Sequence, residues 1–340
     1  MNVLVTGGAG FLGAHLVAAL TERGDAVRVV DRPSRGAEQR LAALDVEFFA
    51  GDIREPESLK KPMNGVDAVV HLAAMSAVWA PMHEYHAVNV TGTENVCRAA
   101  LAAGVTRLVH ISSWTVYGMG IGRPATEDSR LAPLNEPYSV TKALGDRLVQ
   151  RLIAEDGLPA TIIRPDTIFG PGDRVHVGRM SDRLRAGRSI IVGSGQNAMP
   201  FIYVADIVQG LLLALDRPEA VGQAYNLAND EPLTQEELLR ALAEEIGATP
   251  PRIRVPYGAL YAAGYLAEHA ARLVRARHKP ILTRLGVAIF GADNRHAIGK
   301  ARRELGYSPA VPVREGIRRA ATWYRQESIG SQPALAAAGA

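Results

Sequence analysis

The sequence has one cysteine, almost no net charge and no long hydrophobic run, and each shortage excludes a class of protein. The single cysteine, Cys97, allows no intramolecular disulfide framework and no cysteine-rich metal site. The 38 basic and 35 acidic residues give a formal net charge of only +3 and form no basic stripe of the kind that binds nucleic acid. We therefore expect no nucleic-acid partner, no bound metal and a reducing, cytoplasmic location.

The most apolar stretch of the later chain, residues 257–274, is interrupted by Glu268, His269 and Arg272. It is therefore shorter than the roughly 20 uninterrupted apolar residues that cross a bilayer. The chain also starts with strand-like residues 3–6, without the basic flank and apolar block of a signal peptide. We expect no integral membrane segment and no export, whereas contact of residues 257–274 with a membrane surface stays open.

What the sequence does contain is a regular alternation of short apolar runs with segments of helical period. With 47% hydrophobic residues, the chain can bury a large core in one domain or two unequal ones. The runs of strand length are residues 3–6, 26–30, 46–50, 68–72, 108–111 and 160–163. They lack polar alternation, which is typical of strands covered on both faces. The sequence thus predicts an α/β fold with a doubly wound parallel sheet.

Beyond residue 165, glycine and proline breaks at residues 170–172 and 193–195 precede helical patterns at residues 235–246 and 258–274. This change predicts a smaller, mostly helical C-terminal lobe for the substrate. We divide the chain into a sheet domain, a substrate lobe and a flexible tail: residues 1–165 with 200–228 returning to them, residues 166–199 with 229–327, and residues 328–340.

Three glycines, Gly7, Gly10 and Gly13, lie between the first strand and the first helical pattern. A strand that turns sharply into a helix directs free backbone N–H groups at an anion, and missing side chains let a pyrophosphate come close. The turn, which includes Phe11 and Leu12, therefore predicts a dinucleotide site.

Asp31 ends the second strand, 18 residues beyond Gly13, where a carboxylate can accept hydrogen bonds from the hydroxyls of an adenosine ribose. It favours NAD, because the 2′-phosphate of NADP would meet a like charge. The guanidinium groups of Arg32 and Arg35 are well shaped to bind that 2′-phosphate, so NADP stays open as the less favoured cofactor.

Two further segments complete the predicted cofactor wall: Asp52 and Ile53 after the third strand, and Leu72, Ala73 and Ala74 after the fourth. The first could cover the adenine and the second could line the dinucleotide. Simple packing at the strand ends is the alternative.

Tyr138 and Lys142 are four residues apart at the start of a helical pattern, so both project from one face. A phenol is a poor base at neutral pH, and a nearby ammonium favours its ionised form. Ser113, at the end of the fifth strand, can hydrogen-bond a reacting oxygen close to that phenol. These three residues are the predicted catalytic group for proton transfer coupled to hydride transfer.

Together, the glycine turn, Asp31, the Ser113 segment and the Tyr138/Lys142 pair resemble the extended short-chain dehydrogenase/reductase family, also called the epimerase/dehydratase family. The resemblance covers nearly the whole chain and implies a Rossmann-type sheet and an enzyme that uses NAD. It also implies that Asn89 anchors a water and proton relay behind the lysine and that Pro165 lies beside the nicotinamide. Because many relatives dimerise through the helices near Asn89 and Tyr138, it implies a homodimer.

Members of this family that act on nucleotide sugars carry an asparagine and an arginine where this chain has Thr167 and Met199. Residues 225–232 and 255–257 instead resemble 3β-hydroxysteroid dehydrogenases and sterol-4-carboxylate 3-dehydrogenases. We therefore predict an oxidoreductase that interconverts a secondary alcohol and a ketone on an apolar, 3β-hydroxysteroid-like or 3-hydroxyacyl small molecule. The predicted substrate contacts are Ser113, Trp114, Thr167 and Met199.

The alternatives are a nucleotide-sugar 4-epimerase or dehydratase with tightly held NAD, and a binding or redox-sensing protein that retains the fold but lacks catalysis. The apolar helical pattern near residues 258–274 has two interpretations as well. It could form an apolar wall of the substrate site, or its Leu260, Tyr261, Tyr265 and Leu266 could pack against the sheet.

Overall fold

A seven-stranded parallel sheet forms the centre of the computed structural model, which describes residues 1–33, 40–274, 276 and 278–330. The strand order is β10-β6-β5-β4-β1-β2-β3, and every neighbouring pair is parallel. The strands are β1 Asn2–Thr6, β2 Ala26–Asp31, β3 Val46–Ala50, β4 Ala68–His71, β5 Arg107–Ile111, β6 Ala160–Pro165, β7 Thr167–Phe169, β8 Ile191–Val192, β9 Phe201–Tyr203, β10 Ala224–Leu227 and β11 Arg254–Val255. The predicted doubly wound parallel sheet is thus confirmed.

Helices follow most strands and cover both faces of the sheet. They are α1 Phe11–Glu22, α2 Glu57–Met63, α3 Met82–His86, α4 Thr93–Ala102, α5 Pro137–Asp156, α6 Arg179–Arg185, α7 Val204–Asp216, α8 Gln235–Ile246, α9 Tyr257–Leu273, α10 Arg284–Gly291, α11 Gly299–Leu305 and α12 Val313–Gly330. Wider π-helical turns connect α3 to α4 and precede α6: Ala87–Gly92 and Arg174–Gly178. Single 3₁₀ turns occur at Trp114–Tyr117 and Pro218–Ala220.

Successive strand residues point to opposite faces of the sheet, and each face has its own apolar core. Val3 and Val5 of β1 pack with α1, α7 and α11, whereas Leu4 between them packs with α2, α4 and α5. All three side chains are fully buried. Because all seven strands of this sheet are parallel, their carboxyl ends meet at one edge. Ligands bind at this edge in open α/β sheets.

A third apolar core lies in the C-terminal part, between α6, α8 and α12 and the short strands β7 and β9. Helix α9 packs against α10, and its Tyr265 and Leu266 are exposed, so the alternative in which these two residues pack against the sheet is wrong. Helix α12 continues to Gly330, into the stretch predicted to be a tail, and residues 331–340 lie outside the described part. Within the described part, no helix is long and apolar enough to span a bilayer.

Candidate active site

One large cleft, about 1750 Å³ in volume, opens at the carboxyl ends of the strands. Most predicted site residues line it: Gly7, Gly10, Phe11, Leu12, Gly13, Asp31, Arg32, Asp52, Ile53, Leu72, Ala73, Ala74, Ser113, Trp114, Tyr138, Pro165 and Thr167. Ligand pockets for a single small molecule usually measure roughly 300–1,000 Å³. The cleft can therefore hold a dinucleotide together with a second molecule.

The turn between β1 and α1 accepts only glycine at two of its positions. Gly7 has a left-handed φ of 73°, and a Cβ there would lie 2.7 Å from the backbone nitrogen of Ala73. A Cβ on Gly13 would lie 2.3 Å from the carbonyl oxygen of Gly7. The turn is therefore tight, and bare backbone faces the cleft at the start of α1, as the binding of a pyrophosphate requires.

Asp31 is held beside this turn by two backbone donors. Its carboxylate accepts hydrogen bonds from the N–H of Ala9 at 3.0 Å and from the N–H of Arg32 at 2.8 Å. These bonds fix the carboxylate at the cleft, where it can receive the hydroxyls of a ribose. Arg32 lines the same wall, and Arg35 lies outside the described residues.

The segment after β3 is held by an ion pair within itself. The Asp52 carboxylate is 2.6 Å from the Arg54 guanidinium, whose hydrogen bonds lower the pKa of Asp52. Ile53 is buried under the π-helical turn at Gly92. The carboxylate of Asp52 thus stays charged at the rim of the cleft.

Tyr138 is placed by the first turn of helix α5. The buried Glu136 caps this helix by accepting hydrogen bonds from the N–H groups of Tyr138, at 3.0 Å, and Ser139, at 2.5 Å. Pro137 occupies the first helical position, which needs no N–H donor. The helix therefore starts at a fixed point, with the phenol of Tyr138 in the cleft.

Ser113 faces Tyr138 from the end of β5. A hydrogen bond between the two side chains lowers the pKa of the phenol, but burial raises it more, so the net pKa of Tyr138 lies above its usual value. Thr115, which the sequence did not single out, fixes the Ser113 hydroxyl through a 2.9 Å contact between the two side-chain oxygens.

Lys142 lies behind Tyr138 in a buried position, and its ammonium donates to the carbonyl oxygen of Ile111 at 2.5 Å. Burial lowers the pKa of Lys142 to about 8, and the negative charge of Asp146, which raises that pKa, offsets only part of this effect. The expected lowering of the pKa of Tyr138 by this lysine is not found: burial raises that pKa, and the contact that lowers it is the one with Ser113.

Two histidines that the sequence did not single out lie below Lys142 in neighbouring strands. His71 and His110 are in register, with ring centroids 5.3 Å apart. Burial and the charge of Lys142 lower the pKa of both, that of His71 to about 3. Both rings are therefore neutral, and Lys142 is the cation of this buried group.

Asn89 lies in the π-helical turn, a feature common at functional sites. Its side-chain oxygen accepts from the N–H of Met75 at 2.8 Å, and its amide donates to the Met75 carbonyl and to Thr141, each at 3.1 Å. It thereby ties the segment after β4 to helix α5. Its expected role in a water relay stays a prediction.

The structure separates the four predicted substrate contacts. Ser113, Trp114 and Thr167 line the cleft, and the indole N–H of Trp114 donates to the Thr167 hydroxyl at 3.2 Å. Met199 is only 1% exposed and packs in the C-terminal apolar core, so it does not line the cleft wall.

Asp166 and His296, which are far apart in the sequence, form a buried pair next to Trp114. The Asp166 carboxylate is 2.5 Å from the His296 imidazole, and the ring of His296 is 5.2 Å from that of Trp114. Burial raises the pKa of Asp166, and His296 opposes this. Asp166 also lines the cleft. No sequence signal links residues 130 positions apart.

Comparisons with known proteins identify the family of the chain. The model of the NAD dependent epimerase/dehydratase family matches residues 3–228. A 2-alkyl-3-oxoalkanoate reductase of Stenotrophomonas maltophilia is 35% identical, over 94% of this chain and 98% of that protein. A 3beta-hydroxysteroid-dehydrogenase/decarboxylase of Arabidopsis thaliana is 32% identical, over 97% of this chain and 81% of that protein.

Among solved structures, the dTDP-glucose 4,6-dehydratase DesIV of Streptomyces venezuelae, which contains NAD, superposes with a TM-score of 0.80. The two chains are 30% identical, and the superposition covers 98% of this chain and 99% of the DesIV chain.

Proposed function

Because the chain belongs to the NAD dependent epimerase/dehydratase family and is an NAD-dependent oxidoreductase, we propose that it interconverts a secondary alcohol and a ketone on an apolar 3-hydroxyacyl or 3β-hydroxysteroid-like substrate. The observation that carries this proposal is the meeting of Ser113 and Tyr138 in the cleft that holds the glycine turn. Apolar side chains line the substrate end: Trp79, Met82, Val175, Leu285, Ile289 and Phe290.

The residues present fit NAD, because Gly7 and Gly13 leave no room for a side chain and so permit the tight turn whose bare backbone lines the cleft. The turn would hold the pyrophosphate and Asp31 the adenosine ribose. When bound, NAD supplies the acceptor or the donor of the hydride.

In this mechanism Ser113 holds the reacting oxygen and Tyr138 exchanges its proton. Burial keeps the phenol of Tyr138 protonated, which is the form that gives a proton to a ketone. Oxidation of the alcohol needs the phenolate, so this direction speeds up as the pH rises. Lys142, charged below about pH 8, would supply positive charge behind the phenol while the proton is exchanged.

Replacement of Tyr138 with Phe tests the assignment. We expect kcat to fall at least about 100-fold, because general acid–base catalysis contributes that much, while NADH affinity stays within about twofold. Tyr261→Phe on helix α9 is the matched control and should keep its activity. Substrates to assay by NADH absorbance are 3-hydroxyacyl compounds, 3β-hydroxysteroids and UDP-sugars. Unchanged turnover in Tyr138→Phe would contradict the proposal.

A nucleotide-sugar 4-epimerase or dehydratase is the second candidate, favoured by the similarity to DesIV. Such an enzyme would keep its NAD between turnovers. Stoichiometric NAD retained through gel filtration, with turnover of UDP- or dTDP-sugars, would support it. The burial of Met199, where nucleotide-sugar members carry an arginine, supports the dehydrogenase instead.

We also propose a cytoplasmic homodimer. Helices α4 and α5 pack against each other, and α5 exposes the apolar Leu144, which supports pairing through these helices. Light scattering should give twice the chain mass of 36.4 kDa, and Leu144→Glu should lower it. Residues 166–199 and 229–327 would form the substrate lobe, which is supported by the separate apolar core of α6, α8 and α12, whereas α11 packs on the sheet.

A further inference from the structure

Helix α9 presents an apolar face that nothing in the described part of the chain covers. Of its 17 residues, only Gly264 and Glu268 are buried. Leu266 is 66% exposed, Leu273 is 86% exposed and the adjoining Val274 is 72% exposed. These residues lie on one stripe of the helix, because they are spaced seven and eight positions apart. The stripe is an unusual one, since large aliphatic side chains in a helix normally face a core.

A neighbouring stripe of the same helix lines the cleft. Tyr265, His269 and Arg272 belong to the cleft wall, whereas Leu266 and Leu273 do not. Helix α9 therefore presents one stripe to the cleft and an apolar stripe to the solvent.

Further exposed apolar side chains lie on the segments that border the cleft. Ile281, after the helix, is 90% exposed, and Val78 and Met82 are exposed across the mouth. The two sides touch, because the Trp79 indole donates to the Ala276 carbonyl at 3.0 Å. We call Val78, Met82, Leu266, Leu273, Val274 and Ile281 the mouth patch.

Positive charge borders the mouth patch. Arg272, His278 and Lys279 are exposed next to it, and within the described part of the chain neither Arg272 nor Lys279 has an ion-pair partner within 4 Å. The nearby Glu268 is buried and bound to Arg284 at 2.9 Å. Glu84, beside Met82, is exposed on the opposite rim. The α9 side of the patch thus combines aliphatic side chains with basic ones.

We propose that the mouth patch docks on the surface of a membrane that contains anionic lipids. Aliphatic side chains flanked by Arg and Lys are the composition that inserts into the headgroup boundary and binds anionic lipid. A second copy of the chain is a poorer fit, because a symmetric contact would bring the cations of both copies into one interface. The role of this docking rests on the proposed function: an apolar substrate would pass from the bilayer directly into the cleft.

The test is sedimentation of the full chain with vesicles of phosphatidylcholine alone or mixed with phosphatidylglycerol. We expect binding to the mixed vesicles that weakens as salt rises, and at least tenfold less binding for the double variant Leu266→Ser/Leu273→Ser. Ile253→Ser, an exposed aliphatic residue outside the patch, is the matched control and should bind like the unmodified chain.

Binding is measured without substrate, and Tyr138→Phe should bind vesicles normally, so the result does not depend on the catalytic assignment. An unmodified chain that leaves both kinds of vesicle unbound at low salt would overturn the proposal. Equal binding of the double variant would overturn it too. A double variant of lower mass in light scattering, with no vesicle binding by the unmodified chain, would assign the patch to a second copy instead.

Discussion

The wall of the cleft formed by the glycine turn and helix α5 differs from the wall formed by helix α9. In the first, Gly13 is enclosed by backbone atoms and Lys142 is buried against a backbone carbonyl. In the second, one stripe of α9 faces the cleft and most of the other faces solvent. Chemistry needs groups fixed by buried contacts, whereas substrate recognition tolerates change. Substitutions on the two walls should therefore have very different effects.

The largest effect is expected from Lys142→Met in the cofactor-free protein. Between about pH 8 and 10.5, the unfolded chain holds a proton on Lys142 that the folded chain has lost, so stability rises with pH. Relative to Lys142→Met, the free energy of unfolding should increase by up to about 3 kcal/mol across this range. Urea unfolding at several pH values measures it. Lys60→Met, at an exposed site, should show no such difference.

Gly13→Ala should weaken NADH binding by about 100-fold, since its methyl group would collide with the turn. Fluorescence titration with NADH measures the loss. Gly258→Ala in helix α9 is the matched control, because its Cβ would meet nothing within 4 Å. Equal losses of NADH affinity in the two variants would contradict the difference between the two walls.

Asp31→Asn should narrow the preference for NADH over NADPH by about tenfold, because it removes the like charge that a 2′-phosphate would meet. The amide oxygen can still accept a bond from Ala9 or Arg32. Titration with both cofactors decides this, with Glu47→Gln at the exposed end of β3 as control. Tighter binding of NADPH than NADH by the unmodified chain would refute the ribose assignment.

The smallest effect is expected from Leu266→Ser/Leu273→Ser on folding. Exposed side chains away from packed features change stability by about 0.5 kcal/mol or less. Thermal unfolding and turnover of a short, water-soluble substrate should match the unmodified chain. A large loss of stability would mean that α9 packs more closely than the structure shows.

Local patterns in the sequence determined the sheet, the glycine turn and the Tyr138/Lys142 pair. Apolar runs of strand length fix buried strands, and a glycine spacing after a strand fixes a tight turn. Helical geometry places residues four apart on one face wherever the helix lies. Such features depend on neighbours along the chain, so they can be predicted without knowing the rest of the fold.

Only the tertiary structure decided which side chains meet across long distances. It paired Asp166 with His296, attached Asn89 to Met75 and Thr141, and buried Met199 away from the cleft. It also left the apolar stripe of helix α9 in solvent, although the same pattern in sequence is compatible with a core helix. Burial depends on what packs against an element, and it also set the pKa of Tyr138 and Lys142.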